Sequence, residues 1–241
     1  MHALSNADFL SLWERGRPLH PLDRGLLAIH TAFPETHGES VADWTLGRRN
    51  RALVELRSSC FGPALQCWTA CPKCGEKIEL NLAADVIAPQ EAHDQQPEQI
   101  VTVNGEAFRL PTSRDLARVA REMAPELDLA AAAVHLLRAC QVAEEPAEKN
   151  WSQEELETIG ESMAEADPLA EILLGFECPA CSSTCSEALD LPTFLWAEID
   201  ALVRRLLLEV HTLASAYGWS EREILSLSDA RRRLYLEMVQ A

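Results

Sequence analysis

No stretch of this chain is apolar enough to span a bilayer. Its first residues, Met1-His2-Ala3-Leu4-Ser5-Asn6-Ala7-Asp8, lack a basic start leading into a long apolar run. Together these absences predict a cytoplasmic protein. Basic charge is also scarce, since 21 Lys and Arg face 38 Asp and Glu, for a net charge of -17. So acidic a surface neutralises few phosphates, which argues against non-specific binding to nucleic acid or anionic membrane and points to protein partners. Catalytic signatures are missing as well. The seven histidines, His2, His20, His30, His37, His93, His135 and His211, form no His-Glu-x-x-His arrangement, and the chain has neither a Gly-x-Ser-x-Gly elbow nor a glycine-rich phosphate loop. Acidic pairs such as Glu144-Glu145 and Glu154-Glu155 sit beside caps and loops, where acids favour helix starts. The expected protein is not an enzyme and has no small-molecule substrate.

What the chain does have is two cysteine knuckles, Cys71-Pro72-Lys73-Cys74 and Cys178-Pro179-Ala180-Cys181. Each is a two-residue-spaced pair followed by a small residue, Gly75 or Ser182, which suits a tight turn with backbone amides aimed at the sulfurs. Two such pairs complete a tetrahedral thiolate site, so the ligand set expected is Cys71, Cys74, Cys178 and Cys181, holding one structural Zn2+ per chain. Cys67 and Cys185 lie close enough in sequence to compete for a ligand position. Free thiols or disulfides are the plain alternatives, the latter disfavoured in a reducing compartment, and a redox dithiol also uses this spacing. The run Lys77-Ile78-Glu79-Leu80-Asn81-Leu82 after the first knuckle and Phe176-Glu177 before the second read as arms of a zinc ribbon. Four thiolates leave no open position for water, so the metal is expected to contribute folding energy rather than Lewis-acid chemistry.

Around the knuckles the pattern is helical. Ser5 with Asp8, Ser152 with Glu155, and Ser220 with Glu223 are capping boxes, Pro21 suits a first helical position, and Thr112 with Asp115 opens an alanine-rich region. Helices are expected over 44–60, over 115–142 with a break near Pro125, and from Ser152 toward Ala166. The turn region 34–38, the connector 89–99 and the loop 144–150 separate such elements. Asn104-Gly105 between two short apolar runs predicts a hairpin. Leu195, Ile199, Leu202, Leu206, Val210, Leu213 and Tyr217 form one stripe of a long helix ended by Gly218, and a last helix begins at Ser228-Asp229. The fold class expected is therefore mainly α with a small β zinc ribbon, an α+β chain with a long helical insertion between the two knuckles. Its divisions are 1–66 (helical), 67–110 (first half-ribbon and hairpin), 111–172 (insertion), 173–190 (second half-ribbon) and 191–241 (carboxy-terminal helices).

The tail resembles a helix-turn-helix, which keeps a zinc-ribbon nucleic-acid or regulatory protein as the alternative. Charge opposes it, because Arg204, Arg205, Arg222, Arg231, Arg232 and Arg233 are offset by Glu198, Asp200, Glu209, Glu221, Glu223, Asp229 and Glu237. Tyr217, Trp219, Arg231, Arg232, Arg233 and Tyr235 combine the residue types that dominate protein interfaces, and they are the expected partner surface, with the arginines off the core.

The order of segments is distinctive: His20-Pro21-Leu22-Asp23-Arg24, Leu46-Gly47-Arg48-Arg49-Asn50, Phe61-Gly62-Pro63, the first knuckle, Leu110-Pro111-Thr112-Ser113-Arg114-Asp115-Leu116, the second knuckle, Phe194-Leu195-Trp196-Ala197-Glu198-Ile199, then Tyr217-Gly218-Trp219 through Arg231-Arg232-Arg233-Leu234-Tyr235-Leu236. Nearly end to end, it resembles the baseplate-type proteins encoded with contractile phage tails and related contractile injection systems. The resemblance implies a hub component or assembly chaperone whose partners are baseplate or hub proteins, either retained in a phage-tail-like particle or acting on it transiently.

Overall fold

A computed structural model of the chain describes residues 4–34, 36, 40–89, 100–122, 128–142 and 150–240. His2, His37, His93, Pro125, Glu144 and Glu145, most of the 34–38 turn region and the 144–150 loop, and nearly all of the 89–99 connector lie outside the described residues. The protein is mainly helical with small antiparallel sheets, an α+β chain. It divides into two compact units, Met1–Pro34 with Pro192–Ala241, and Glu35–Leu191.

In the first unit, α1 (Asn6–Gly16) starts on the Ser5/Asp8 capping box, and α2 (Pro21–Ala32) has proline at its start with the His20 ring accepting from the Leu22 amide. The long α8 (Leu191–Tyr217) buries Leu195, Ile199, Val203, Leu206 and Leu213, the three-and-four spacing that makes one apolar face. The amino-terminal helices are tied to it by polar and aromatic contacts. Trp13 Nε1 donates to Asp200 Oδ1 at 2.7 Å, and the Arg24 guanidinium lies 4.8 Å from the Trp196 ring centroid. A Cβ on Gly16 would stand 2.3 Å from the Trp196 indole, so only glycine permits that approach. Gly218 adopts φ 70° and ends α8. The capping box of Ser220 and Glu223 starts α9 (Glu221–Leu225), and α10 (Asp229–Gln240) follows.

In the second unit, α3 (Leu46–Phe61) begins two residues later than the expected 44, because Thr45 is its cap and accepts from the Arg48 amide. Gly62, at φ 89°, ends it. The chain then forms β1 (Ala64–Ala70), paired in register with β2 (Lys77–Ala83), and runs into the short α4 (Ala84–Ile87). The predicted hairpin is present as β3 (Ile100–Val103) and β4 (Glu106–Arg109), with Asn104 and Gly105 both at positive φ, as a type I′ turn requires. The helix expected over 115–142 is two helices, α5 (Ser113–Glu122) and α6 (Leu129–Cys140), the second opened by the Asp128 carboxylate accepting from the Ala130 amide. α7 (Gln153–Ala166) starts on the Ser152/Glu155 box. Val103, Phe108, Leu110, Leu137, Cys140, Trp151, Ile159 and Met163 form the apolar cluster that α6, α7 and the β3–β4 hairpin share. β5 (Leu173–Glu177) and β6 (Thr184–Ala188) close the unit as a third hairpin.

Beside that cluster Arg109 grips Asp115 with two hydrogen bonds, 2.6 and 2.7 Å, while the Thr112 amide and hydroxyl also donate to the Asp115 carboxylate. Burial pushes the Asp115 pKa up, but Arg109 and Thr112 outweigh it and leave the group below the ordinary carboxylate range. A lowered folded pKa means the stabilisation is whole above the unfolded value of about 3.9 and is lost as pH falls through the folded value. Asp115→Asn is therefore expected to cost roughly 2 kcal/mol at pH 7, by removing the charge partner of Arg109, which is partly exposed and keeps its hydrogen bond to Ala139 O. In urea titrations at several pH values the gap to wild type should close below pH 4. A gap independent of pH would mean that the carboxylate charge is irrelevant.

Candidate metal centre

Each knuckle is the turn of its own hairpin. The first joins β1 to β2 and the second joins β5 to β6, so the strands β1 and β6 are additions to the two arms expected from sequence. The two turns share one backbone design. Cys71 N donates to Glu76 O at 2.8 Å and Gly75 N to Cys71 O at 2.9 Å; Cys178 N donates to Ser183 O and Ser182 N to Cys178 O, both at 2.9 Å. Gly75 and Ser182 occupy the same position and both have positive φ, 76° and 53°. Serine carries a Cβ penalty there that glycine does not. Ser182→Gly is expected to raise stability by up to ~1 kcal/mol and Gly75→Val to lower it by roughly 1–3 kcal/mol, read by thermal unfolding of metal-loaded protein. Equal effects of either sign would show that backbone strain is not what distinguishes the positions.

The hairpins bring all four predicted ligands together. The sulfurs of Cys71, Cys74, Cys178 and Cys181 lie within 4.8 Å of one another. Across the hairpins, Cys71 Sγ is 3.7 Å from Cys181 Sγ and Cys74 Sγ is 3.6 Å from Cys178 Sγ. A tetrahedron of sulfurs with metal–sulfur bonds near 2.3 Å has edges of about 3.8 Å, so the cage has the size that a metal ion such as zinc fits. These separations are far beyond a disulfide bond. Cys71 and Cys178 are buried while Cys74 and Cys181 are on the exposed side.

Electrostatics favour a cation at the centre. The amides of Cys74 and Lys73 donate to Cys71 and bring its thiol down to about 6. The Ser183 hydroxyl, 3.0 Å from Cys181 Sγ, and the Ser183 amide lower Cys181 as well. The Glu76 amide by itself would lower Cys74. Loss of water and the neighbouring sulfurs of Cys178, Cys181 and Cys71 instead push it up to about 12. Four thiolates this close repel one another, and a divalent ion removes the repulsion that otherwise keeps protons on some of them.

Cys67 and Cys185 stand outside the four-sulfur group. The internal likeness of the hairpins explains Cys185: it pairs with Phe176 as Ile78 pairs with Thr69, so it fills the position that isoleucine fills in the first hairpin. Both side chains pack in the apolar cluster with Cys71 and Cys178. Burial raises the Cys185 thiol, and its Sγ–H points to Ser183 O at 3.5 Å, which keeps it protonated. Cys67 lies on β1 opposite Leu80.

The residues expected to form a partner surface are divided by the structure. Tyr217 stacks on Trp219 at 4.7 Å between ring centroids, and Tyr235 meets both edge-on at 5.8 and 4.9 Å, so the three rings largely pack on one another. Arg231 and Arg233 are exposed. Arg232 is not. It is 3 % exposed, with Nε 2.6 Å from Glu209, Nη2 2.9 Å from Asp229 and Nη1 donating to Leu227 O. The expectation that the arginine run lies off the core is corrected for Arg232, because two carboxylates from α8 and α10 neutralise it in place. The same helix also exposes Leu234 and Met238, one turn apart, which no local sequence pattern marks as surface residues.

Trp68 is a further exposed side chain that sequence pattern does not single out. It is 69 % exposed on β1, on the face opposite to the buried Leu65. Its counterpart in the second hairpin, facing Ser186 as Trp68 faces Glu79, is Gly175. The hairpin design therefore does not need an indole at that place. Strand alternation about the knuckle carries the signal, once β1 is recognised. Compared with known proteins, the chain matches no family model, no curated protein and no solved structure.

Proposed function

We propose that this chain is a non-enzymatic baseplate hub component or baseplate assembly chaperone of a contractile phage tail-like injection system, stabilised by one structural Zn2+ on Cys71, Cys74, Cys178 and Cys181. In this reading the two hairpins are halves of one zinc ribbon, and α5, α6 and α7 are an insertion between them that the metal clasps at its base. The observation that carries the structural role is the closed four-sulfur cage, in which every ligand position is a protein thiolate. The resemblance of the ordered sequence segments to baseplate-type proteins, which runs nearly end to end, supports this reading. The net charge of -17 favours protein partners over nucleic acid.

The partner surface proposed is the exposed face of α10, Arg231, Arg233, Leu234 and Met238, with Trp68 as a separate candidate anchor. Arg231→Glu with Arg233→Glu is expected to leave zinc content and thermal unfolding unchanged, to weaken capture of a baseplate subunit at least tenfold and to reduce assembled particles. Unchanged capture by the folded double variant removes this face from consideration. Mass spectrometry of purified native particles tests the wider assignment, since a hub component is retained in them and a chaperone is found only with free hub subunits. If the chain associates with neither and instead forms a salt-sensitive complex with duplex DNA, the zinc-ribbon regulatory alternative replaces this one.

A further inference from the structure

We propose that the same four sulfurs are two oxidation-labile dithiol pairs, Cys71 with Cys181 and Cys74 with Cys178, which a hydroperoxide converts to disulfides that expel the metal yet keep the hairpins joined. The inference rests on the metal-site reading and not on the baseplate assignment. Its basis is the crosswise geometry. The 3.7 and 3.6 Å contacts both run between hairpins, linking residues 110 and 104 apart in sequence. Each pair has one exposed member, Cys181 or Cys74, and one buried member, Cys71 or Cys178. The exposed sulfur is the one an oxidant reaches, and the buried one is held beside it.

The chemistry divides accordingly. The exposed thiolate attacks the O–O bond of hydrogen peroxide, forming a sulfenic acid and releasing hydroxide. The buried thiolate across the hairpins then attacks that sulfur, the S–O bond breaks, a second hydroxide leaves, and the S–S bond forms. Two peroxides thus take four electrons from four thiolates, and the divalent ion, stripped of its ligands, leaves into water. A dithiol reductant reverses both bonds and restores the cage. Each closure needs the sulfurs to approach by about 1.6 Å, to the disulfide length near 2.05 Å. Because both bonds span the two hairpins, oxidation replaces a metal clasp by a covalent one, whereas a disulfide within either knuckle would leave the hairpins untied. Cys185 lies outside the four-sulfur group and takes no part.

The test uses the full-length, zinc-loaded chain with hydrogen peroxide and a chromogenic chelator. Expected are release of about one zinc, a mass about 4 Da below that of the reduced metal-free chain, and recovery of both by dithiothreitol. Trypsin cuts after Lys73 and so separates Cys71 from Cys74. After alkylation, fragment spectra should show Cys71 joined to Cys181 and Cys74 joined to Cys178. The oxidised protein should melt within a few degrees of the zinc form, while chelation without oxidant should lower the midpoint by 10 °C or more. Links of Cys71 to Cys74, links to Cys185, or zinc retention at stoichiometric peroxide overturn the proposal. Protein that carries no metal when purified reduced refutes the metal reading, and its disulfide map still decides the pairing. Cys181→Ser provides a second check, since only the Cys74–Cys178 link should then form.

Discussion

Chelating the metal from reduced protein, or replacing Cys178 by Ser, is expected to lower stability by about 4 kcal/mol, the contribution of a ligand present at a thousandfold above its dissociation constant. The loss should be local in character. Cys178 is fully buried, and among the described residues the two hairpins pack together in the small cluster of Cys71, Ile78, Cys178, Cys185, Leu80 and Phe176. So small an apolar cluster holds two hairpins weakly, and two-stranded sheets alone are marginal in water. Hydrogen exchange should therefore show β1, β2, β5 and β6 losing protection first. The buried stripe of α8 from Ile199 to Leu213, which belongs to the other compact unit, should keep its protection. Metal analysis of freshly purified, reduced protein fixes the premise at about one zinc per chain. A metal-free protein with unaltered melting and exchange would show that the hairpins need no clasp.

Arg232→Glu should be the most damaging single change in the carboxy-terminal helices, and Arg233→Glu nearly silent. Arg232 is buried against Glu209 and Asp229, so a carboxylate in its place would set three acids together where an ion pair had been. Breaking a buried pair costs roughly 3–5 kcal/mol, and a buried like charge adds to that. Arg233 is exposed and its replacement should stay within ~0.5 kcal/mol. Urea unfolding of the two variants side by side distinguishes them. Similar midpoints would mean that the ion pairs of Arg232 contribute nothing net. For the same reason a partner-binding test on this helix must leave Arg232 alone and use Arg231 and Arg233.

Features encoded within a few consecutive residues are legible in the amino-acid sequence. The three capping boxes depend on a hydroxyl and a carboxylate three positions apart, and each forms as the spacing predicts. Asn104-Gly105 specifies its own turn through two positive φ angles, and Gly218 ends α8 in the same way. The two-residue cysteine spacing likewise sets the turn that brings two sulfurs to one site. Far less legible is anything decided by the opposite strand or the neighbouring helix. Ala64-Leu65-Gln66-Cys67-Trp68-Thr69-Ala70 reads poorly as a strand until β2 pairs with it residue for residue.

Sequence by itself thus determined the helix starts at the Ser5, Ser152 and Ser220 capping boxes, the end of α8 at Gly218, the β3–β4 hairpin and the two cysteine knuckles, because each is encoded by residues a few positions apart along the chain. Tertiary structure alone decided among residues of the same type. It put Cys185 in the place of Ile78, with its proton on a carbonyl, and so out of the ligand cage. It sank Arg232 between Glu209 and Asp229 while leaving Arg231 and Arg233 in water, and it left Trp68 exposed where the sister hairpin has only Gly175. Ligand, ion-pair partner and exposed anchor are defined by what packs against a side chain from elsewhere in the chain, and local sequence carries no record of that neighbour.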